Sequence, residues 1–307
     1  MRIGLGALVA VTIGCTGGNQ YVSKADLTVD TGVVDTGDTG EADTDTDETD
    51  TDTGETDTDT DSGDTDTDTG SEICKNDYHP VHVEGWTKTF TATYDGGSGT
   101  ATEEALPPSS YQGRDVYAYR DYMLVSYTND FNITEEKGWD NTMFVSCDPE
   151  AGMLLMGWDG VSINAGFDIS TFQQYDIPVQ VDFGSGHLYI PYEFAIGGIS
   201  TWNNSYTFTK TENDPTNGPQ SNTATISSIH NEVGFIPHQL FDGTQVEAYK
   251  TVYEMSIDNG LGGVDNNYVE QYWVKGLGMV QEDFLDAQGT VLLSKQLSGY
   301  TGLSVIE

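Results

Sequence analysis

From Trp86 to Tyr94 the chain reads Trp-Thr-Lys-Thr-Phe-Thr-Ala-Thr-Tyr, with threonine at every odd position and Trp, Lys, Phe, Ala or Tyr at every even one. A period of two is the mark of a β-strand with one packed and one wet face, because successive side chains leave opposite sides of the backbone. Asp95-Gly96-Gly97 follows, the residue types of a hairpin turn. The same grammar recurs in β-rich runs at 115–127, 141–147, 153–161, 177–183, 201–211, 224–233, 248–257, 267–274, 278–285 and 290–297. Turn clusters such as Asp148-Pro149-Glu150-Ala151-Gly152, Glu212 to Pro219 and Asp286 to Gly289 separate them. No segment carries a convincing helical period, although a short helix is allowed for near Asp168 to Gln173. The expectation is an all-β, mostly antiparallel fold over residues 74–307. Strands in this number must curl or split, so a large curved sheet, half-barrel or sandwich follows.

What precedes that domain obeys different rules. Between Ala25 and Ile73 there are 19 Asp or Glu residues and no Lys or Arg. With almost no apolar side chain to offset an ordering cost of about 1–2 kcal/mol per residue, residues 15–73 are expected to be a disordered Asp/Thr-rich linker. A coil of this length averages roughly 40 Å end to end, and like-charge repulsion adds reach. The β domain itself is acidic, and the whole chain carries a net charge of −39. This excludes nucleic acid as a natural partner, since phosphate is bound through Lys and Arg.

Met1-Arg2 and the apolar run Ile3 to Ile13 are too short to span a bilayer core about 30 Å thick and read as an export signal over residues 1–14. Thr12-Ile13-Gly14-Cys15 resembles the lipobox of bacterial lipoproteins. The resemblance implies cleavage before Cys15, a lipid on Cys15, and attachment to the outer membrane, since Thr16 stands where an Asp would favour inner-membrane retention. Farther on, Gly234-Phe-Ile-Pro237, Phe241-Asp-Gly243 and Tyr272-Trp-Val-Lys-Gly276-Leu-Gly278-Met-Val280-Gln-Glu282 resemble the closing strands of curved-sheet, lipoprotein-carrier-like envelope proteins. That resemblance speaks to architecture and implies no particular ligand.

Chemistry is sparse. With Cys15 lipidated, Cys74 and Cys147 remain in an oxidising compartment, where a disulfide is the expected reading and two free thiols the alternative. His79, His82, His187, His230 and His238 contain no His-Glu-x-x-His pair and read as surface or turn residues. Gly184-Ser185-Gly186-His187 places a hydroxyl near an imidazole without the strand-to-helix turn of a nucleophile elbow. Glu103-Glu104 and Glu135-Glu136 are adjacent in sequence and so are poorly placed to converge on one glycosidic bond. Two oxygen-rich segments could hold Ca²⁺: the linker run Asp57 to Asp68, read chiefly as a solvated spacer, and the loop bearing Asp258, Asp265 and Asn267. No other cofactor is expected.

Aromatic residues are plentiful and nearly all lie beyond Cys74. On Tyr268-Val-Glu-Gln-Tyr272-Trp273 they occupy both faces, so Tyr272 and Trp273 are candidates for contact with an apolar or glycan ligand; cross-strand packing is the plainer account. The expected function is a non-enzymatic, lipid-anchored envelope protein with a binding or structural β domain. The alternative is a hydrolase of envelope glycans or peptides, which would need acids, or a nucleophile and base, sharing one pocket.

Overall fold

The computed structural model describes residues 77–306 apart from 95–96, 129–131, 169, 171–172, 192–193, 195–200 and 259–263. The expected signal peptide, the linker, Cys15, Cys74 and the linker aspartates lie outside the described residues. Twelve strands follow one another: β1 Thr87–Tyr94, β2 Gly97–Tyr111, β3 Arg114–Thr128, β4 Thr134–Asp148, β5 Gly152–Asp168 and β6 Gln173–Pro191, then β7 Thr201–Asp214, β8 Gly218–Gln239, β9 Gln245–Asp258, β10 Val264–Val274, β11 Gly278–Leu285 and β12 Val291–Thr301. Each pairs antiparallel with its neighbours in sequence, and β1 pairs with β12, so the sheet closes into a barrel. The expected curvature is therefore carried to full closure, which removes both sheet edges. Of the segment near Asp168 to Gln173, where a short helix is allowed for, Asp168 ends β5 and Gln173 opens β6, and residues 169, 171 and 172 lie outside the described residues. Of the turn expected at Asp95-Gly96-Gly97, the first two residues lie outside the described residues and Gly97 opens β2, paired with Tyr94.

The period-two pattern sorts the residues as predicted. In β1 the even positions Lys88, Phe90 and Ala92 are buried and Thr89 and Thr91 are exposed. On β7 and β8 the outward threonines face one another, Thr207 with Thr225 at 3.3 Å and Thr209 with Thr223 at 3.5 Å between hydroxyls. The apolar face points inward, the reverse of a membrane-spanning barrel, whose lipid-facing band must be apolar.

The interior is one continuous core, with Trp86, Phe90, Trp158, Phe208, Ile226, Leu293 and Val269 among its most buried members. The start of β1 and the end of β12 share one rim, where Thr87 pairs with Thr301. The residues just before β1 turn across that rim: Asp77 O accepts from Gly276 N at 2.6 Å, and Tyr78 packs edge-on against Phe194 at 5.7 Å. His79 follows and sits among Tyr119, Tyr189 and Trp273.

β-Bulges bend the strands inward. Between Leu155 and Gly157 the β5–β6 register jumps from His187 to Asp182. The jump is made by Gly184 and Gly186, with φ of 62° and 97°. A Cβ on Gly186 would lie 2.8 Å from Met156 Sδ, so this glycine serves both the left-handed turn and the close approach.

Candidate functional site

Polar side chains occupy the packed face at successive positions around the barrel. On β1 to β4, Lys88 pairs in register with Glu103, Glu103 with Asp121, and Asp121 with Asn141. On β12 to β9, Lys295 pairs with Glu282, Glu282 with Gln271, and Gln271 with Thr251. All eight are buried. They form a polar belt inside a barrel whose core is mainly apolar.

The charges on the belt are matched almost completely. Lys88 Nζ lies 2.5 Å from Glu103 Oε2 and donates to the carbonyl of Met279 at 3.2 Å. Lys295 Nζ reaches both Glu103 and Asp121 at 3.2 Å. The Trp139 indole N–H donates to Asp121 at 2.8 Å. Burial alone would raise the pKa of Glu103, but Lys88 and Lys295 outweigh it and hold that carboxyl at about 2. Burial raises Asp121 against the pull of Lys295.

Glu282 is the exception. Its Oε1 accepts from Gln271 Nε2 at 2.7 Å, while its Oε2 is buried with no hydrogen-bond partner. Burial pushes this carboxyl up to about 7, opposed by Lys295 and Gln271 and reinforced by Glu103 and Asp121. Around this group the barrel holds a cavity of about 90 Å³, room for several waters.

Above the belt the cavity walls are rings. His230 is sandwiched between Trp202 and Tyr253, stacked at centroid distances of 4.6 and 4.7 Å, and Ser228 Oγ lies 3.0 Å from its Nε2. His187 stacks on Tyr206 at 4.1 Å. Burial holds all three interior imidazoles neutral: the pKa falls to about 3 for His79 and His187 and to about 4 for His230. Within the cavity Trp202 Nε1 and His187 Nδ1 are also buried without a partner.

Several expectations from sequence are corrected here. His79 and His230 are buried and His187 lines the cavity, so three of the five histidines are not surface or turn residues. The Gly184-Ser185-Gly186-His187 motif is a bulge: Ser185 is exposed and His187 turns inward. Glu103 and Glu104 indeed diverge, Glu104 meeting Arg120 at 3.2 Å on the outer face. Glu103 instead faces Asp121 on the next strand and acts electrostatically on Glu282 on β11, a neighbour that no sequence proximity could display.

Tyr272 and Trp273 do not share a surface. Trp273 is buried inside and its N–H donates to Thr251 Oγ1 at 3.3 Å. Tyr272 is half-buried outside, its ring 5.1 Å from Lys250 Nζ and its hydroxyl donating to Glu270 at 3.2 Å. Of the calcium candidates, Asp258 pairs with Val264, Asp265 with Ile257 and Asn267 with Met255, which puts Asp258 at a register position of opposite parity to the other two. Among the described residues no three His, Cys, Asp or Glu side chains are grouped to hold a metal ion. Cys147 lies near the rim-side end of β4, in register with Met153, and its expected partner lies outside the described residues.

No known protein family matches the chain and no curated protein matches it. Two solved structures are similar in part. One is a "putative exported protein with YmcC-like fold" from Bacteroides fragilis NCTC 9343, with a TM-score of 0.41 and 13% identity over 71% of this chain and 96% of that one. The other is a "putative lipoprotein" from Parabacteroides distasonis ATCC 8503, with a TM-score of 0.40 and 8% identity over 71% of this chain and 95% of that one.

Proposed function

We propose that this chain is an exported, lipid-anchored envelope protein in which Cys15 carries the lipid, the acidic segment is a tether, and the barrel is a non-enzymatic binding module for a small ligand held inside it. The observation that carries the binding part is the interior cavity, where aromatic walls meet a buried carboxylate oxygen that no protein group satisfies. Buried polar atoms are nearly always paired, and an orphan beside open volume supports a ligand or ordered water. The anchor part rests on the lipobox-like Thr12 to Cys15.

Two experiments test the reading. Replacing Cys15 by Ala should move the protein from the membrane to the soluble envelope fraction; a variant that stays membrane-bound overturns the anchor. Native mass spectrometry of the barrel extracted from its own membrane should detect a small non-covalent adduct, and a bare polypeptide mass would leave the barrel as a structural element.

A hydrolase is the second reading, and one observation favours it: Ser228 Oγ is within hydrogen-bond reach of His230 Nε2 in the same cavity. Against it, an imidazole held at about 4 is a weak base at neutral pH. Ester or peptide turnover that disappears in Ser228→Ala would decide for the enzyme.

A further inference from the structure

The interior belt holds two lysines and three carboxyls. Glu103 is bound by both ammonium groups and Asp121 by Lys295 and Trp139, which leaves Glu282 as the one acidic side chain of the belt whose direct partner is a neutral amide. Its Oε2 is buried, unpartnered and beside open volume. Tyr189 and Tyr253 lie close enough that Glu282 acts electrostatically on both hydroxyls. Charge and lining therefore agree. Once Glu282 ionises, its buried unpartnered oxygen calls for a donor carrying positive charge, and aromatic faces attract cations while giving a bare anion nothing. A hard metal ion would need several oxygens free to coordinate it, and the neighbouring carboxylates Glu103 and Asp121 are already held by Lys88 and Lys295.

Resting on the binding-module reading above, we infer that the cavity takes a small organic ammonium ion, whose N–H donates to Glu282 Oε2 and whose charge is covered by the rings of Tyr189 and Tyr253. The volume of about 90 Å³ sets the size. A methylammonium group fits such a space. Water in the same cavity is the competing occupant.

The test is a titration of the full chain with methylammonium chloride, with potassium chloride at matched ionic strength as the control. The Trp202 and Trp273 indole N–H resonances report from the cavity wall. Saturable shifts with methylammonium and none with potassium are expected. Affinity should fall about tenfold in Glu282→Gln, the loss of one charge-assisted contact, and should be higher at pH 8 than at pH 6 in the unaltered chain, because Glu282 ionises between them. The pH comparison keeps the test sound should the variant fold poorly. Shifts that persist unchanged in Glu282→Gln and at both pH values overturn the inference. A neutral probe of similar size, 2-propanol, that alone binds would overturn the cation while leaving the binding module standing. Failure of both probes, with a cavity that holds water only, would overturn both.

Discussion

Lys295 Nζ, on the last strand, stands 3.2 Å from Asp121 Oδ1 on the third, both side chains sealed from solvent. The same ammonium meets Glu103, so one cation serves two buried carboxylates. Burial would lower its pKa, but Asp121, Glu103 and Glu282 together raise it above the ordinary lysine value. A buried pair adds little over a well-packed apolar pair, but breaking one by removing a single partner is costly. Lys295→Met should destabilise the barrel by about 3–5 kcal/mol in urea unfolding. A loss below about 1 kcal/mol would mean that the carboxyls find other partners.

Glu282 gives a pH dependence of definite sign. Its folded pKa of about 7 lies above the ordinary carboxyl value of 4.5. The folded state therefore retains a proton that the unfolded chain releases. Its contribution to stability is complete below about pH 4.5 and is lost as pH rises through about 7. Measured against the wild type at each pH, Glu282→Gln should gain about 3 kcal/mol between those limits. Parallel stability curves would show that Glu282 titrates normally.

His187 acts in the opposite direction. Burial, assisted by the charge on His230, lowers it from 6.5 to about 3. Its contribution is complete above about pH 6.5 and is lost as pH falls toward 3, because only the unfolded chain then takes up the proton. His187→Phe keeps a ring against Tyr206 and removes the titration. Denaturation between about pH 6.5 and 4.5 should show the variant losing about 1.4 kcal/mol less per pH unit than the wild type. Equal slopes would place the acid sensitivity on other residues.

Cys147, near the rim where the chain enters β1, is expected to bond to Cys74. Such a link would close a long loop and add roughly 3–4 kcal/mol by restricting the unfolded chain. Non-reducing peptide mapping of exported protein should recover the linked peptides. Both thiols open to alkylation would refute the pairing.

The strand grammar was legible because water contact repeats every second residue, and an alternation such as that of Trp86 to Tyr94 has one physical solution. β2 carries a weak signal: Gly97-Ser-Gly-Thr-Ala has one β-branched residue, Thr100, and no aromatic one among small residues that favour turns, yet Gly97 to Tyr111 pairs along most of β3. The polar belt did leave a trace. Lys88 and Lys295 each fall at a position whose neighbours two residues away are apolar, and both are buried. Which carboxylates they would meet was beyond sequence, because those contacts are fixed by barrel closure and not by spacing. The inward turn of His187 was hidden for another reason: the bulge at Gly184 and Gly186 breaks the parity by which an in-or-out assignment is made.

The seam between the first and last strands also governs when the molecule can become stable. Lys88 reaches Glu103 across a neighbouring hairpin, but Lys295 reaches Glu103 and Asp121 only over sequence separations of 192 and 174 residues. Until the ends of the domain meet, Asp121 has no counterion and a partly assembled sheet would bury it at full desolvation cost. Charge neutralisation and ring closure are thus one event, and contacts so distant in sequence form slowly. Intermediates that stop short of it stay hydrated and loose. A chain truncated before Lys295 therefore leaves Asp121 without its ammonium partner and the barrel without its closing seam.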